Sequence, residues 1–130
     1  MSKLHNDFEQ LPSSDAIDYL ELHWSGKEND ATVIERLENI PGKHASVRIY
    51  HALSRLNQGK IGAQEAKEGI RLYGDYIDDE KREPNSHPNI RKLIEIVENS
   101  GHMQVVVYKK RWTRPFIEKM ISANFIRVDA

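Results

Sequence analysis

The stretch IPGKHASVRIYHAL, residues 40–53, places basic and hydroxyl side chains at the predicted start of a helix. A helix N-terminus presents unpaired N–H groups and a partial positive charge, so it attracts anions. The candidate anion-binding side chains are Lys43, His44, Ser46, Arg48, His51 and, at a later helix start, His87. The phosphate-binding patterns G-x-x-x-x-G-K-[ST] and G-x-G-x-x-G are both missing from the sequence. The stretch therefore predicts either a small-anion site or, as the favoured interpretation, an ordinary turn followed by a helix cap.

The histidines and acids do not have the spacing of a metal site. His44 and His51 would lie about 10 Å apart along one helix, which is too far to bind the same ion. The sequence contains neither an H-E-x-x-H motif nor the twelve-residue pattern of a calcium loop. We therefore predict no metal and no cofactor.

Nucleophilic catalysis also lacks its usual signatures. The chain contains no cysteine and no G-x-S-x-G motif. His51 and His87 are candidate general bases, but catalysis needs a nucleophile, a base and an orienting group that meet in space. No catalytic residue is predicted, and whether the protein is an enzyme stays open.

A second candidate surface is the segment YKKRWTRPF, residues 108–116, which contains four basic and three aromatic residues. Such a mixture is typical of protein interfaces and of surfaces that bind single-stranded nucleic acid. The formal net charge of −1 argues against nucleic acid, so a protein partner or a second copy of the chain is favoured. The predicted partner-binding residues are Tyr108, Arg111, Trp112 and Phe116. A structural alternative is that the last two of these rings dock the final helix onto the core.

The composition is that of a single well-solvated domain. With 130 residues, 38% of them hydrophobic and 30% charged, the chain is predicted to form one domain over residues 1–130. Residues 1–40 carry nine acids and three bases, whereas residues 101–130 carry six bases and two acids. This asymmetry fits either ends that pack together or an interaction tail. The absence of cysteine, of a secretion signal and of any run of about 20 apolar residues predicts a cytoplasmic protein that does not enter a membrane.

The elements that must position these residues follow from the hydrophobic periodicity. Apolar and polar residues alternate in residues 16–24 and again in residues 31–40, which predicts an N-terminal β-hairpin. Three helices are predicted between Gly42 and Gly59, from about residue 62 to 77, and from Pro88 to the stop signal Asn99-Ser100-Gly101. Gly69 and Gly74 weaken the second helix unless a neighbouring element requires close approach there.

The C-terminal part of the chain predicts a strand, a helix and a further strand. The run MQVVVYKK, residues 103–110, is rich in β-branched residues and predicts the first strand. Residues 113–124 predict the helix, and residues 125–128 predict a closing strand. The predicted fold class is therefore α+β, with an N-terminal β-hairpin, three central helices on one face of a small sheet, and a C-terminal strand-helix-strand.

Three stretches, IPGKHASVRIYHAL, EAKEGIRLYGDYIDD and HPNIRKLIEIVE, together resemble a family of small bacterial proteins that has no assigned function. The resemblance covers about residues 10–100, and the basic segment from Gly101 departs from it. The matching elements are Pro41-Gly42-Lys43, Ser46, Tyr50, Gly69, Leu72-Tyr73 and His87-Pro88-Asn89-Ile90. The resemblance implies a bacterial origin and a cytoplasmic setting, and it transfers no mechanism.

We therefore expect a small bacterial protein that acts as a non-enzymatic interaction or accessory module through its apolar-aromatic C-terminal surface. The alternative function is the binding of a small anion or phosphate-bearing ligand, with or without catalysis, at the helix start that follows Pro41-Gly42-Lys43.

Overall fold

A computed structural model describes residues 3–110, which form a four-stranded antiparallel sheet and a layer of helices. The strands are β1 (Ile17–Ser25), β2 (Val33–Glu38), β3 (Lys60–Ile61) and β4 (His102–Lys109). The helices are a 3₁₀ helix (Asn6–Gln10), α1 (His44–Ser54), α2 (Ala63–Tyr73), α3 (Tyr76–Arg82) and α4 (Pro88–Asn99). The strands lie in the order β2-β1-β4-β3. The predicted α+β class is confirmed.

The N-terminal hairpin forms as the alternating pattern predicts. β1 and β2 pair in antiparallel register, with Leu20 opposite Leu37. Leu20 and Leu22 are buried on one face of the sheet, because alternate residues of a strand point to the same side. The register of β1 against β4 shifts between Ile17 and Tyr19, and this irregularity allows Ile17 to be buried as well. One face of the hairpin is thus apolar and available to the helices.

The core lies between this face of the sheet and the helices. The sheet contributes Leu20, Leu22, Leu37, Ile61, Met103 and Val105. The helices contribute buried side chains from α1, α2 and α4, among them Val47, Tyr50, Leu53, Leu72, Leu93 and Ile96. All of these belong to one contiguous cluster, so the burial of this apolar surface is the main force that holds the helices on the sheet.

The second predicted helix is two helices, α2 and α3, in the structure. The break is at Gly74, whose φ of +61° is a conformation that residues with a side chain rarely adopt. A Cβ atom at Gly74 would also collide with the carbonyl oxygen of Lys3. Gly69 stays inside α2, where a Cβ atom would lie 2.7 Å from the Cδ1 atoms of Leu53 and Leu93. Both glycines therefore permit the close approach that offsets their cost in helix propensity.

β4 forms where the sequence predicts a strand, and it lies in the sheet between β1 and β3. The two-residue β3 was not predicted, and it pairs with Met103 and Gln104 of β4. The helix predicted over residues 113–124 and the strand predicted over residues 125–128 lie outside the described residues. A single domain over residues 1–130 stays a prediction. Within residues 3–110, every helix is too short or too polar to cross a bilayer.

Candidate functional site

A cleft of about 310 Å³ opens between the starts of α1 and α4, and we call it the α1–α4 cleft. The start of α1 contributes Gly42, Lys43, Ala45 and Ser46. The start of α4 contributes residues 86–90. The rest of the lining comes from Leu4, Tyr73 and Tyr76. The cleft therefore lies where four separate parts of the chain meet.

Both helices that open into the cleft begin without a side-chain cap. The cap positions are Lys43 in α1 and His87 in α4, and neither side chain bonds to its helix within the described part of the chain. The first turns of α1 and α4 also contain no acidic residue. Pro88 has no N–H, so Asn89 is the first backbone donor of α4. The first N–H groups of a helix lack an intrahelical acceptor, so the start of α1 presents several hydrogen-bond donors. In α4, the N–H of Ile90 already donates to the His87 carbonyl, so Asn89 supplies the donor at that start. Both helix starts carry a partial positive charge.

Two tyrosine hydroxyls organise the wall between these helix starts. Tyr73 donates a hydrogen bond to Oγ of Ser46 at 2.7 Å. Burial raises the pKa of Tyr73, and the hydrogen bond with Ser46 offsets this only in part, so the phenol stays protonated at neutral pH. Tyr50 donates to the backbone carbonyl of Asn89 at 2.5 Å, which ties α1 to the start of α4. Since Tyr73 cannot accept the proton of Ser46 as a base, the pair suits ligand binding rather than nucleophilic catalysis.

A buried carboxylate, Glu80, holds the loop that precedes α4. Glu80 is 0% exposed and accepts hydrogen bonds from the backbone N–H groups of Asn85 and His87, each at 2.8 Å. The guanidinium of Arg91 donates to the same carboxylate, with Nη2 at 2.8 Å. Burial alone would raise the pKa of Glu80, but these three partners outweigh burial and lower the pKa below its usual value. Glu80 thereby fixes the backbone of the cleft wall at His87.

The charged groups next to His87 are already paired with one another. The His87 ring lies edge-on to the Tyr76 ring, with 5.5 Å between the centroids. Nε2 of His87 is 3.9 Å from Oδ2 of Asp79, and that carboxylate also accepts a hydrogen bond from Nζ of Lys3 at 2.9 Å. The hydrogen bond from Lys3 is the main reason that the pKa of Asp79 is lowered. Because a lysine offsets this acid, Asp79 opposes an anion in the cleft less than an unpaired carboxylate would.

The structure brings together three of the six predicted anion-binding residues. Lys43, Ser46 and His87 line the α1–α4 cleft. His44 and Arg48 line a separate depression next to the loop that precedes β1. The predicted set is therefore divided between two sides of the α1 start.

His44 and Arg48 make contacts that hold the chain together. Nδ1 of His44 lies 2.6 Å from Oδ1 of Asn39, at the end of the hairpin. Arg48 donates to the carbonyl oxygens of Leu11 at 2.6 Å and Pro12 at 3.3 Å. A guanidinium that binds successive carbonyls fixes the loop between the 3₁₀ helix and β1, which is a structural role.

His51 is not a lining residue of the cleft. Its Nδ1 is buried and has no hydrogen-bond partner within residues 3–110. Burial is the main cause that lowers the pKa of His51, and the positive charges of Arg55 and Lys109 add to it. His51 is therefore neutral at pH 7. In the described part of the chain, no three His, Asp or Glu side chains form a group that could hold a metal ion.

Of the predicted partner-binding residues, the structure describes Tyr108. Its ring stacks on Tyr19 with 4.5 Å between the centroids, and the guanidinium of Arg36 lies 3.6 Å from the centroid of Tyr19. Tyr108 is 38% exposed, and this aromatic group lies on the face of the sheet opposite the core. Arg111, Trp112 and Phe116 lie outside the described residues.

Sequence reasoning did not identify Tyr73, Tyr76 or Glu80 as site residues. Tyr73 follows the apolar spacing of a helix and therefore indicates a core position, which is also where its ring lies. Glu80 stands in the charged run DDEKREP, which is typical of a solvated loop. No local signal distinguishes Glu80 from the neighbouring acids, because its role depends on Arg91, eleven positions later.

A family model described as "uncharacterized protein conserved in bacteria" (DUF2322) matches residues 4–107, which is more than half of the chain. The chain belongs to this family. The match confirms the resemblance seen in the sequence and extends it beyond Gly101 to include most of β4. All residues that line the α1–α4 cleft lie within the part of the chain that the family model covers. Neither a curated protein nor a solved structure matches the chain.

Proposed function

We propose that this protein binds a small anion in the α1–α4 cleft, as a binding module rather than as an enzyme. The observation that carries the proposal is the convergence of two helix starts on one cleft. Neither start has a side-chain cap or an acidic first turn within the described residues. An anion would accept hydrogen bonds from the N–H groups at the start of α1 and from the N–H of Asn89 in α4, and it would interact favourably with both helix dipoles.

Side chains in the cleft support the same kind of ligand. Lys43 brings a full positive charge to the start of α1, and Ser46 brings a hydroxyl group one helical turn along. His87 stands at the start of α4 and lines the cleft, where its imidazole ring can donate a hydrogen bond. These groups complement an oxyanion, which accepts several hydrogen bonds at once.

The size and the apolar part of the lining limit the ligand. A volume of about 310 Å³ lies at the small end of the roughly 300–1,000 Å³ that ligand sites usually have. Leu4, Tyr76 and Pro88 offer apolar surface beside the helix starts. We therefore propose a phosphate, sulfate or carboxylate group that carries at most a small organic body.

A thermal-shift titration with phosphate, sulfate and acetate tests this proposal. A ligand at about 100 times its dissociation constant adds about 2.7 kcal/mol to the free energy of unfolding. For a domain of this size, that free energy raises Tm by roughly 8–10 °C. The variant Lys43→Ala should lose most of the shift, because it removes the only full charge at the start of α1 within the described residues.

Lys67→Ala is the matched control, because Lys67 is an exposed lysine on α2 that does not line the cleft. Salts such as sulfate also stabilise proteins without binding, and this general effect is the same in both variants. A shift that is equal in the two variants would place any binding elsewhere. A chain that none of the three anions stabilises beyond the general salt effect would refute the proposal.

A second candidate function is the docking of an acidic protein partner at the surface around Tyr108. The stack of Tyr108 on Tyr19, together with Arg36, supports it, because Tyr and Arg are enriched at protein interfaces. Residues 101–130 carry six bases and two acids, so the complementary partner is a protein with an acidic patch. The sequence prediction adds Arg111, Trp112 and Phe116, which lie outside the described residues, to the residues proposed to bind this partner.

A labelled poly-glutamate peptide is a suitable probe for this second function. We expect binding that weakens as salt screens the charges and that is reduced in the double variant Arg111→Ala/Trp112→Ala. Lys67→Ala again serves as the control. Light scattering of the chain alone would reveal self-association, which would make a second copy the occupant and contradict the acidic partner.

The chain's location is a further proposal. The absence of cysteine from all 130 residues favours a reducing compartment, so we propose that the protein is cytoplasmic. Fractionation of bacterial cells should recover it with cytoplasmic markers, and recovery with periplasmic or membrane markers would contradict this location.

A further inference from the structure

We infer that Tyr73 positions Ser46 to donate its hydroxyl proton to the bound anion, an inference that rests on the proposed function. Both residues line the cleft, but Tyr73 is only 4% exposed, whereas Ser46 is partly exposed. Their oxygens are 2.7 Å apart. Ser46 is therefore the member of the pair that reaches a ligand, and Tyr73 is the member that holds it.

The burial of Tyr73 determines the direction of this hydrogen bond. A hydroxyl group has one proton to donate and two lone pairs that accept. Among the described residues, the Tyr73 hydroxyl has Ser46 as its hydrogen-bond partner. A buried donor without an acceptor is costly, so the Tyr73 hydroxyl donates its hydrogen bond to Oγ of Ser46. The proton of Ser46 is then left for another acceptor.

This direction specifies the ligand more closely than charge alone. Lys43 and the backbone N–H groups of α1 also donate toward the cleft, so the ligand oxygen that faces Ser46 meets donors. An oxygen that carries its own proton would meet these donors without finding an acceptor in them. We therefore assign the site to an oxyanion with an unprotonated oxygen at Ser46, such as sulfate, a carboxylate or phosphate.

Calorimetric titration with inorganic sulfate tests this arrangement in four chains: the unaltered protein, Tyr73→Phe, Ser46→Ala and the double variant. One hydrogen bond contributes roughly 3- to 10-fold in affinity. We expect Ser46→Ala and Tyr73→Phe each to weaken sulfate binding by about this factor. The double variant should bind no more weakly than Ser46→Ala, because Tyr73 acts through Ser46. The double variant also leaves no buried hydroxyl without its partner.

Two further variants separate positioning from general structural damage. Ser46→Thr retains a hydroxyl group and should bind sulfate nearly as well as the unaltered chain. Tyr19→Phe removes a tyrosine hydroxyl from the opposite face of the sheet and should leave binding unchanged. Binding that is retained in Ser46→Thr and lost in Ser46→Ala would show that the hydroxyl group at position 46 contacts the anion; equal losses in these two variants would overturn the inference.

The outcomes distinguish this inference from the proposed function. If the unaltered chain binds sulfate and Tyr73→Phe binds it equally well, the inference is overturned and the anion site stands. Losses that add in the double variant would also overturn the inference, because they would show that Tyr73 acts independently. If the unaltered chain binds neither sulfate, phosphate nor acetate, the proposed function itself fails.

Discussion

The start of α2 and the starts of α1 and α4 solve the same physical problem in different ways. In α2, the side chain of Glu65 turns back and accepts the backbone N–H of Gly62 at 2.9 Å. Its carboxylate also places a negative charge in the first turn, where the helix dipole favours it. In α1, the first turn contains no acid, and no side chain within residues 3–110 caps the helix. The first turn of α4 also contains no acid, and the carboxylate that accepts the N–H of its cap residue His87 comes from Glu80 in α3.

In the proposed anion site, the distinguishing feature is a residue type that is missing. A helix that supplies its own carboxylate has little need of an external anion. Three helices have their first residues at the α1–α4 cleft: α1 and α4 have no acid in the first turn, whereas α3, which begins at Tyr76, has Asp78 and Asp79 there. Substitutions that alter one helix start at a time should separate the stability of the fold from its anion binding.

The largest effect should follow from Glu80→Ala, which removes the support of the α4 start. The substitution leaves Arg91 and two backbone N–H groups without their carboxylate. Breaking such a buried pair destabilises a protein by about 3 kcal/mol or more. Urea unfolding measures this loss, and Glu98→Ala, at an exposed position of α4, should cost less than about 0.5 kcal/mol. Equal losses in the two variants would contradict the role of Glu80.

The same carboxylate predicts a pH dependence of stability. The pKa of Glu80 is lowered in the folded protein, so its contribution is fully present above the unfolded value of about 4.3. The contribution is lost as the pH falls through the lowered folded pKa. The difference in unfolding free energy between the unaltered chain and Glu80→Gln should therefore shrink from pH 6 toward lower pH. A difference that stays constant with pH, measured by urea unfolding, would show that the charge does not matter.

A smaller effect is expected at the start of α2. Glu65→Ala removes the acceptor for Gly62 and the negative charge from the first turn, at a cost of about 1 kcal/mol. Anion binding in the α1–α4 cleft should not change, because Glu65 does not line it. Urea unfolding and sulfate titration measure the two quantities, with Lys67→Ala as the control on the same helix. A change in sulfate affinity would mean that the helix starts are not independent.

The smallest change in stability is expected for Lys43→Glu, which gives α1 an acid of its own. The new carboxylate should stabilise the helix start by about 0.3–1 kcal/mol through the dipole. The same carboxylate should abolish anion binding, because its negative charge would lie at the cleft and repel the anion. Lys67→Glu makes the same change of charge away from the cleft and should retain binding. Retained sulfate binding in Lys43→Glu would remove α1 from the site.

Local patterns were sufficient to predict most of the fold. The alternation around Leu20 and Leu22, and Pro88 at the first position of α4, are read within a few residues, so the hairpin and α4 were predicted close to their observed bounds. The break at Gly74 was missed, because it depends on the backbone near Lys3, about seventy residues away along the chain. β3 was missed because two residues carry no periodicity and form a strand only by pairing with β4.

The candidate site was predictable only in part. Lys43 and Ser46 can be identified from the sequence because they stand at a predicted helix start, and His87 can be identified because it precedes Pro88. His44 and Arg48 look the same in sequence, but the helix turns them toward the loop before β1. Which side of a helix faces a cleft is decided by the elements packed around it. Spacing along the chain therefore indicated the helix starts without showing that two of them meet.

The contact of the N-terminal backbone with the corner at Gly74 has a practical consequence for experiments. The carbonyl of Lys3 accepts the N–H of Asp75 at 2.8 Å, and the N–H of His5 donates to Leu72 at 3.0 Å. Leu4, between these two anchors, lines the cleft. An affinity tag fused directly before residue 3 would therefore lie next to a wall of the cleft. Ligand titrations are best made after such a tag has been removed.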